Sequence, residues 1–365
     1  MPFSKLDASA CPVPSWLPGG HLQTIHASLF ARHHRIAFVR DRVDTPDKDF
    51  VDFDWAGPGL FPHKPPAGPQ AESAPLQAGA SAAARWITLG DWQALPQEPG
   101  APALILFHGL EGSSGSNYAQ SIAAHFRSRG WVVVVAHFRS CSGTPNRLAR
   151  AYHSGDSTDI AFMLDTVRRR LPRARWHAAG ISLGGNALLK FLGEQEHEAG
   201  WLTACAGVSV PLDLVAGGAA LGWGFVERQI YTRYFLHTMR RKVLEKAERY
   251  PGVIDVMGIA HARDLHDFDD TYTAPMHGFR NALDYWAKAS SKPWLASVHV
   301  PTLVLNARND PFLPAASLPT PAQCSERVLL HQPEQGGHAG FVVGRFPGNL
   351  NWLPERLGRF FETGT

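Results

Sequence analysis

The sequence predicts an α/β fold, with a mostly parallel central sheet flanked by helices and a helical cap inserted late in the chain. Three observations predict it. Short, almost continuously apolar runs at 103–107, 131–137 and 203–210 alternate with segments of helical periodicity, and strands apolar on both faces belong to parallel sheets covered on both sides. Between a strand-like run at 175–179 and a helix-like run at 186–192 lies Gly180-Ile181-Ser182-Leu183-Gly184, a small-residue turn carrying one serine. The strand expected after residue 210 arrives only about ninety residues later, at 302–306, where a single crossover needs roughly a dozen. Residues 211–290 therefore read as a cap, and 1–365 as one domain built around one sheet.

In chain order, residues 1–30 read as an extended arm punctuated by Pro12, Pro14, Pro18, Gly19 and Gly20, with His21 more a packing residue than a ligand. Residues 35–43 and 50–55 alternate apolar with polar, the period of half-buried strands, around turn chemistry at 45–49. They predict an opening antiparallel hairpin. From 57 to 102 the composition shifts to Pro, Ala, Gly and Gln. Such a stretch buries too little apolar surface to offset its ordering entropy, so it reads as an excursion, with one added strand at 85–92. After the 103–107 strand, Tyr118, Ile122 and Phe126 mark one helix face, closed by Gly130. Asp156 or Ser157 caps a helix whose stripe is Ile160, Met163, Leu164, Val167 and Leu171, ended by Pro172. Within the cap, Trp223, Phe225, Tyr231, Tyr234, Phe235 and Met239 supply aromatic and apolar surface, and a long helix through Arg249 stops before Pro251. A last strand at 327–331 and a helix at 353–361, with Leu357, Phe360 and Phe361 inward, close the chain.

Composition narrows the function classes. The 44% hydrophobic and 18% charged shares are those of a folded domain with a large core. A net charge of +3 gives no reason to expect a nucleic-acid partner. Arg168-Arg169-Arg170 and Arg240-Arg241-Lys242 suit helix ends and solvated helix faces. Four scattered cysteines, Cys11, Cys141, Cys205 and Cys324, form no metal-binding or disulfide pattern. Residues 1–18 hold no signal-peptide core, and the longest apolar run, 131–136, is too short to span a bilayer. The expectation is a cytoplasmic chain with no stable membrane insertion, no metal and no cofactor.

The chemistry gathers at three loops. A serine hydroxyl is a poor nucleophile at neutral pH, and needs a general base and a carboxylate to orient that base. Ser182 is the candidate nucleophile. Asp310, in Asn309-Asp310-Pro311 just after the 302–306 strand, is the candidate carboxylate, and His338, in Gly336-Gly337-His338-Ala339-Gly340 after the last strand, the candidate base. Asp213, directly after the 203–210 strand, is the rival acid, whereas Asp269 and Asp270 suit a helix cap or arginine partners. The backbone amides of Leu183 and Leu110 are placed to bind an oxyanion. Gly112 and Gly115 could line a phosphate loop, but no Gly-Lys-Ser/Thr follows.

Ordered blocks extend this pattern over about 13–362. They are Leu22-Gln23-Thr24, His108-Gly109-Leu110-Glu111-Gly112, His137-Phe138-Arg139-Ser140-Cys141-Ser142-Gly143 with Asn146-Arg147, and Tyr152-His153-Ser154-Gly155. Gly180 to Asn186, Phe268-Asp269-Asp270, Thr273-Ala274-Pro275, Asn309-Asp310-Pro311-Phe312 and Gly337-His338 complete them. Together they resemble the YheT-like branch of the α/β-hydrolase superfamily. The resemblance implies ester hydrolysis, or acyl transfer to an alcohol, on substrates with a hydrophobic acyl chain. The 57–102 segment is longer than is usual there, and the membrane anchor of animal members is missing. A non-catalytic binder on the same fold is the reading from another class. The loops at 141–143 and 152–155 are expected to brace the site.

Overall fold

A computed structural model of the chain describes residues 6–61 and 82–365. The strands are β1 (Leu6–Asp7), β2 (Phe38–Asp44), β3 (Phe50–Ala56), β4 (Ala83–Trp86), β5 (Pro102–Phe107), β6 (Val132–Ala136), β7 (Arg175–Ile181), β8 (Ala204–Val208), β9 (Thr302–Leu305) and β10 (Val328–His331). Among the described residues they form a single sheet in the order β1-β10-β9-β8-β7-β5-β6-β3-β2-β4. Only the β2–β3 and β3–β6 pairs are antiparallel; the others run parallel.

Strands apolar on both faces need cover on both faces, and the chain supplies two layers. On one side the helices Ser157–Arg170 and Leu183–Gln195 bury Met163, Val167, Leu188 and Leu192 against Phe53, Trp55 and Trp176. On the other, Asn117–Ser128 and Trp352–Thr363 bury Ile122, Phe126, Leu357 and Phe360 against Leu104, Val133 and Ala206. Each such side chain contributes roughly 1.5–3 kcal/mol by leaving water. The Ser157–Arg170 helix shows how locally this is determined. Asp156 caps it by accepting from the Asp159 amide at 3.2 Å, and three arginines occupy its last turn, where the helix dipole favours cations.

Three expectations are corrected. The N-terminal arm is not extended throughout, because Gly20–Leu29 is a helix that holds Leu22, Gln23 and Thr24. The opening hairpin forms, but β3 is buried along its whole length. Its polar residues face ion pairs rather than water: Asp54 lies opposite Arg40 and accepts from its Nε and Nη2 at 2.8 and 2.9 Å, and Asp52 pairs the same way with Arg42. The 85–92 strand is shorter and earlier. It is β4, parallel to β2, and Thr88 then caps a short helix, Leu89–Ala94, through a reciprocal bond with Asp91. Much of the proline-rich excursion, 62–81, lies outside the described residues.

Between β8 and β9 lie the helices Leu214–Trp223, Arg233–Arg249, Val256–His261 and Ala282–Ala289, joined by shorter turns. They carry a small core of their own, with Leu236, Val243, Ile259, Phe268 and Tyr272 buried together.

Candidate active site

Ser182 sits between the last residue of β7 and the first of the Leu183–Gln195 helix, with φ 51° and ψ −120°. A side chain in that left-handed region is strained, and strain of this kind costs on the order of 1–3 kcal/mol. Close packing explains why glycines flank it. A Cβ on Gly180 would lie 2.5 Å from the Gly184 carbonyl oxygen, and one on Gly184 would lie 2.5 Å from that of His108. The strand-to-helix turn can therefore close only around glycine.

The three candidate loops converge on this serine. His338 Nδ1 lies 2.9 Å from Asp310 Oδ2, and His338 Nε2 lies 3.0 Å from Ser182 Oγ. A carboxylate only accepts, so Nδ1–H donates to Asp310, and the Nε2 lone pair is left to accept the serine proton. Asp310 is held in turn, its Oδ1 accepting from the Phe312 amide at 2.8 Å, and the Phe312 ring stacks on His338 at 4.0 Å. The rival acid is elsewhere. Asp213 caps the Leu214–Trp223 helix by accepting from Ala216 at 3.1 Å. Asp269 is neither a cap nor an arginine partner; it is half-buried, accepting from Thr273 Oγ1 at 2.6 Å and Trp286 Nε1 at 2.8 Å, and desolvation lifts its carboxyl to about 6. Asp270 accepts from the Ala282 amide.

The loop after β5 reaches the serine from the other side. A Cβ on Gly109 would stand 3.2 Å from Ser182 Cβ. Its amides are mostly committed: Gly109 donates to Tyr118 Oη at 2.9 Å, Glu111 to Tyr152 Oη at 2.9 Å and Gly112 to the Gly109 carbonyl at 2.9 Å. The Leu110 amide has no protein acceptor among the described residues, nor does that of Leu183 at the helix start, where N–H groups lack intrahelical partners. His108 is fully buried, its Nε2 accepting from the Phe138 amide at 3.1 Å, and burial lowers it to about 3.

Two site residues escape a reading based on chemistry alone. Gln23 Oε1 accepts from the Gly336 amide and from Asn309 Nδ2, while its Nε2 donates to the Leu17 carbonyl and to Gln335 Oε1. Thr24 Oγ1 accepts from the His338 amide at 2.9 Å. They tie the acid loop and the histidine loop to one helix, and the only signal for them was their place in an ordered block. His21 bears out the packing reading, stacking on Tyr231 with its Nδ1 3.3 Å from that hydroxyl. The loop at 152–155 also braces the site: the Ser154 carbonyl accepts from Asn186 Nδ2, which donates to the Ala289 carbonyl as well.

Ser182 opens into a cavity of about 140 Å³ lined mainly by apolar side chains, among them Leu214, Leu221, Phe235, Phe268, Trp286 and Phe312. Such a lining suits a hydrocarbon chain. Beside it His153, Asp156 and His277 bring possible metal-ligand atoms within 4.8 Å of one another. The donor set does not suit an ion. His153 Nδ1 accepts from the Gly155 amide, which leaves the proton on Nε2, and Arg150 already approaches Asp156 Oδ2 at 3.4 Å. The four cysteines are free and buried, and among the described residues no helix is long and apolar enough to cross a membrane.

With this geometry in hand, likeness to known proteins becomes informative. Residues 102–344 match the family described as the alpha/beta hydrolase fold. YheT of Escherichia coli (strain K12) is 33% identical over 94% of this chain and 90% of its own. The monoacylglycerol lipase of Saccharomyces cerevisiae is 26% identical over 95% of this chain and 79% of its own. Among solved structures, Est1E from Butyrivibrio proteoclasticus with bound ferulic acid superposes with a TM-score of 0.51 at 14% identity, over 87% of this chain and 97% of Est1E, which speaks to the fold alone. Sheet order, strand-to-helix serine turn and sequence likeness agree: the chain belongs to the α/β-hydrolase family, in its YheT-like branch.

Proposed function

We propose that the protein is a serine carboxylesterase, an acyl hydrolase that cleaves esters with a hydrophobic acyl chain through a covalent acyl-enzyme. The observation that carries this is His338 bridging Asp310 and Ser182 at 2.9 and 3.0 Å beneath an apolar cavity. Ser182 Oγ attacks the ester carbonyl while His338 Nε2 takes its proton, and Asp310 stabilises the imidazolium that results. The amides of Leu110 and Leu183 receive the oxyanion. Collapse of the tetrahedral intermediate expels the alcohol, which takes the proton from His338. Water, activated by the same imidazole, then releases the acid and restores the serine. Residues 211–290 act as the cap that shields the acyl group from water. The four buried thiols suit a reducing cytoplasm.

The test is labelling by a fluorophosphonate probe beside Ser182→Ala, coupled to turnover of p-nitrophenyl esters from acetyl to palmitoyl. Labelling and turnover lost in the variant, with a chain-length optimum beyond acetyl, are expected. A preference for short polar esters would overturn the acyl-chain part. Absence of both labelling and turnover in the wild type would leave a binding protein on a hydrolase fold. Added ethanol that diverts product from acid to ethyl ester would make the enzyme an acyltransferase as well.

A further inference from the structure

Glu111 follows the proposed oxyanion donor Leu110 directly, and its backbone lies at φ 56°, where a side chain is unfavourable. Its surroundings show what holds it there. The Glu111 amide donates to Tyr152 Oη at 2.9 Å, and the same hydroxyl donates to Glu111 Oε1 at 3.1 Å. The other carboxylate oxygen, Oε2, pairs with Lys242 Nζ at 2.8 Å. Tyr152 is fixed in turn by stacking on Phe138, with centroids 5.3 Å apart and planes 15° apart. One peptide is thereby clamped at its amide and at both carboxylate oxygens, next to the amide that must point at the developing charge.

Lys242 comes from a different part of the chain. It lies on the helix Arg233–Arg249, inserted between β8 and β9. Composition places Lys242 with Arg240 and Arg241 on a solvated helix face; instead it turns inward, lines the cavity that holds Ser182, and its side chain is only 23% exposed. Burial works against its charge, but the neighbouring Cys141 and Glu111 more than reverse this and hold it above the ordinary lysine range. One turn further along, Lys246 donates to the Leu148 and Arg150 carbonyls and to Asn146 Oδ1, seating the same helix on the loop after β6. An exposed pair of this kind would contribute little. A pair this desolvated is geometrically exacting, because removing one partner leaves the other charge buried.

We propose that Lys242 is a positioning residue for the oxyanion site: through its ion pair with Glu111 and the Tyr152 clamp, it aligns the Leu110 amide when the Arg233–Arg249 helix is seated over the serine. The inference rests on the serine-esterase reading and adds a coupling to it. Whatever moves the inserted helix also moves an oxyanion donor, so an acyl chain that fills the cavity and packs the helix down completes the site that will act on it.

The test uses the full chain and four variants, Lys242→Met, Lys242→Arg, Tyr152→Phe and Ser182→Ala. The readouts are kcat and KM on a p-nitrophenyl ester, affinity for an alkyl trifluoromethyl ketone that forms a tetrahedral adduct on serine, and affinity for the alkyl aryl ether that lacks a carbonyl. Loss of one complete oxyanion donor costs about 10²–10³ in kcat, so misalignment in Lys242→Met is expected to cost roughly 10–100-fold. Ketone affinity should fall in parallel, while KM and ether affinity stay within about twofold. Lys242→Arg should recover most of the loss, and Tyr152→Phe should show the signature of Lys242→Met. Should Lys242→Met not fold, the arginine and phenylalanine variants carry the decision. Ketone affinity unchanged while kcat falls, a loss confined to KM, or Lys242→Arg no better than Lys242→Met would overturn the proposal. If turnover depends on Ser182 and Lys242→Met matches wild type, only this inference fails; if turnover survives Ser182→Ala, the esterase reading fails with it.

Discussion

His338 Nε2 lies 3.0 Å from Ser182 Oγ although 156 residues separate the two in the chain. That distance has meaning only if the ring keeps its Nε2 lone pair toward the serine, and the Asp310 carboxylate enforces this from the other side at 2.9 Å. Asp310→Asn replaces the acceptor by an amide that can present N–H and stabilise the wrong tautomer, while its remaining oxygen can still accept from Phe312. We expect kcat to fall about 10⁴-fold with an unchanged far-ultraviolet spectrum. Retention of a tenth or more of wild-type kcat would remove Asp310 from its orienting role.

Asp213 provides the contrast, since it also follows a strand of the parallel sheet yet serves only as a helix cap. Asn caps as well as Asp, so Asp213→Asn should leave both stability and kcat within about twofold of wild type, and Asp213→Ala should cost about 1 kcal/mol in urea unfolding with kcat preserved. A large loss of kcat in Asp213→Asn would mean that the acid had been misassigned.

These two aspartates also mark how far the sequence could be read. The parallel strands were legible because their apolar runs cannot face water, and the serine turn because only glycine packs at positions 180 and 184. The loops that bring Asp310 and His338 to Ser182 were legible from their places after β9 and β10. Alternation misled at β3, because period two reports which residues share a face and not whether that face meets solvent. Asp52 pairs with Arg42 on β2, and Asp54 points into cover supplied by later segments: its carboxylate accepts from Ser114 and faces His137 Nε2 at 2.8 Å, partners 60 and 83 residues away. Burial alone would raise its pKa, but His137 and Arg40 drive it well below the ordinary carboxylate range. Lys242 misled for the same reason, because the composition of one helix does not say what stands opposite it.

Gln23 follows from this lesson, as a polar residue only 1% exposed that binds the nearby Leu17 carbonyl and, on the distant acid and histidine loops, Asn309, Gln335 and Gly336. Truncation in Gln23→Ala leaves the Gly336 amide and the Leu17 carbonyl without their partner and frees the loop that carries His338. The expected cost is about 1–3 kcal/mol in urea unfolding for a buried group left unsatisfied. A drop in kcat with little change in KM should accompany it, since the loop positions the base rather than the substrate. Normal stability and kcat together would show that the histidine loop holds its shape unaided.

Stability should depend on pH through histidines that are buried, His108 and His177, or half-buried, His153 and His277. Burial lowers His108 to about 3 and both His177 and His277 to about 4, and it holds His153 well below the ordinary range. In the unfolded chain each returns to about 6.5. Between roughly pH 4 and 6.5 the unfolded state therefore binds more protons than the fold, and stability rises with pH across that window and is lost as pH falls through it. Three carboxyls raised by burial oppose this, Asp41, Asp156 and Asp269. Asp269 is raised to about 6 by burial and Asp156 is raised by burial beside Asp159, so each keeps a proton in the fold that the unfolded chain releases. The lowered imidazoles, to which burial adds His125 at about 4 and also His33 and His331, outnumber the three raised carboxyls and leave a net loss on acidification, read as a urea midpoint falling between pH 7.5 and pH 5. His177 offers a clean control. Its ring stands between Trp131 and Phe361, at 4.7 and 5.1 Å, and its Nε2 is buried without a partner among the described residues. His177→Phe keeps the aromatic packing and removes one titrating group, so its midpoint should fall less than that of wild type over the same range, by close to one proton's slope. A variant whose midpoint tracks wild type at every pH would show that His177 takes up its proton inside the fold.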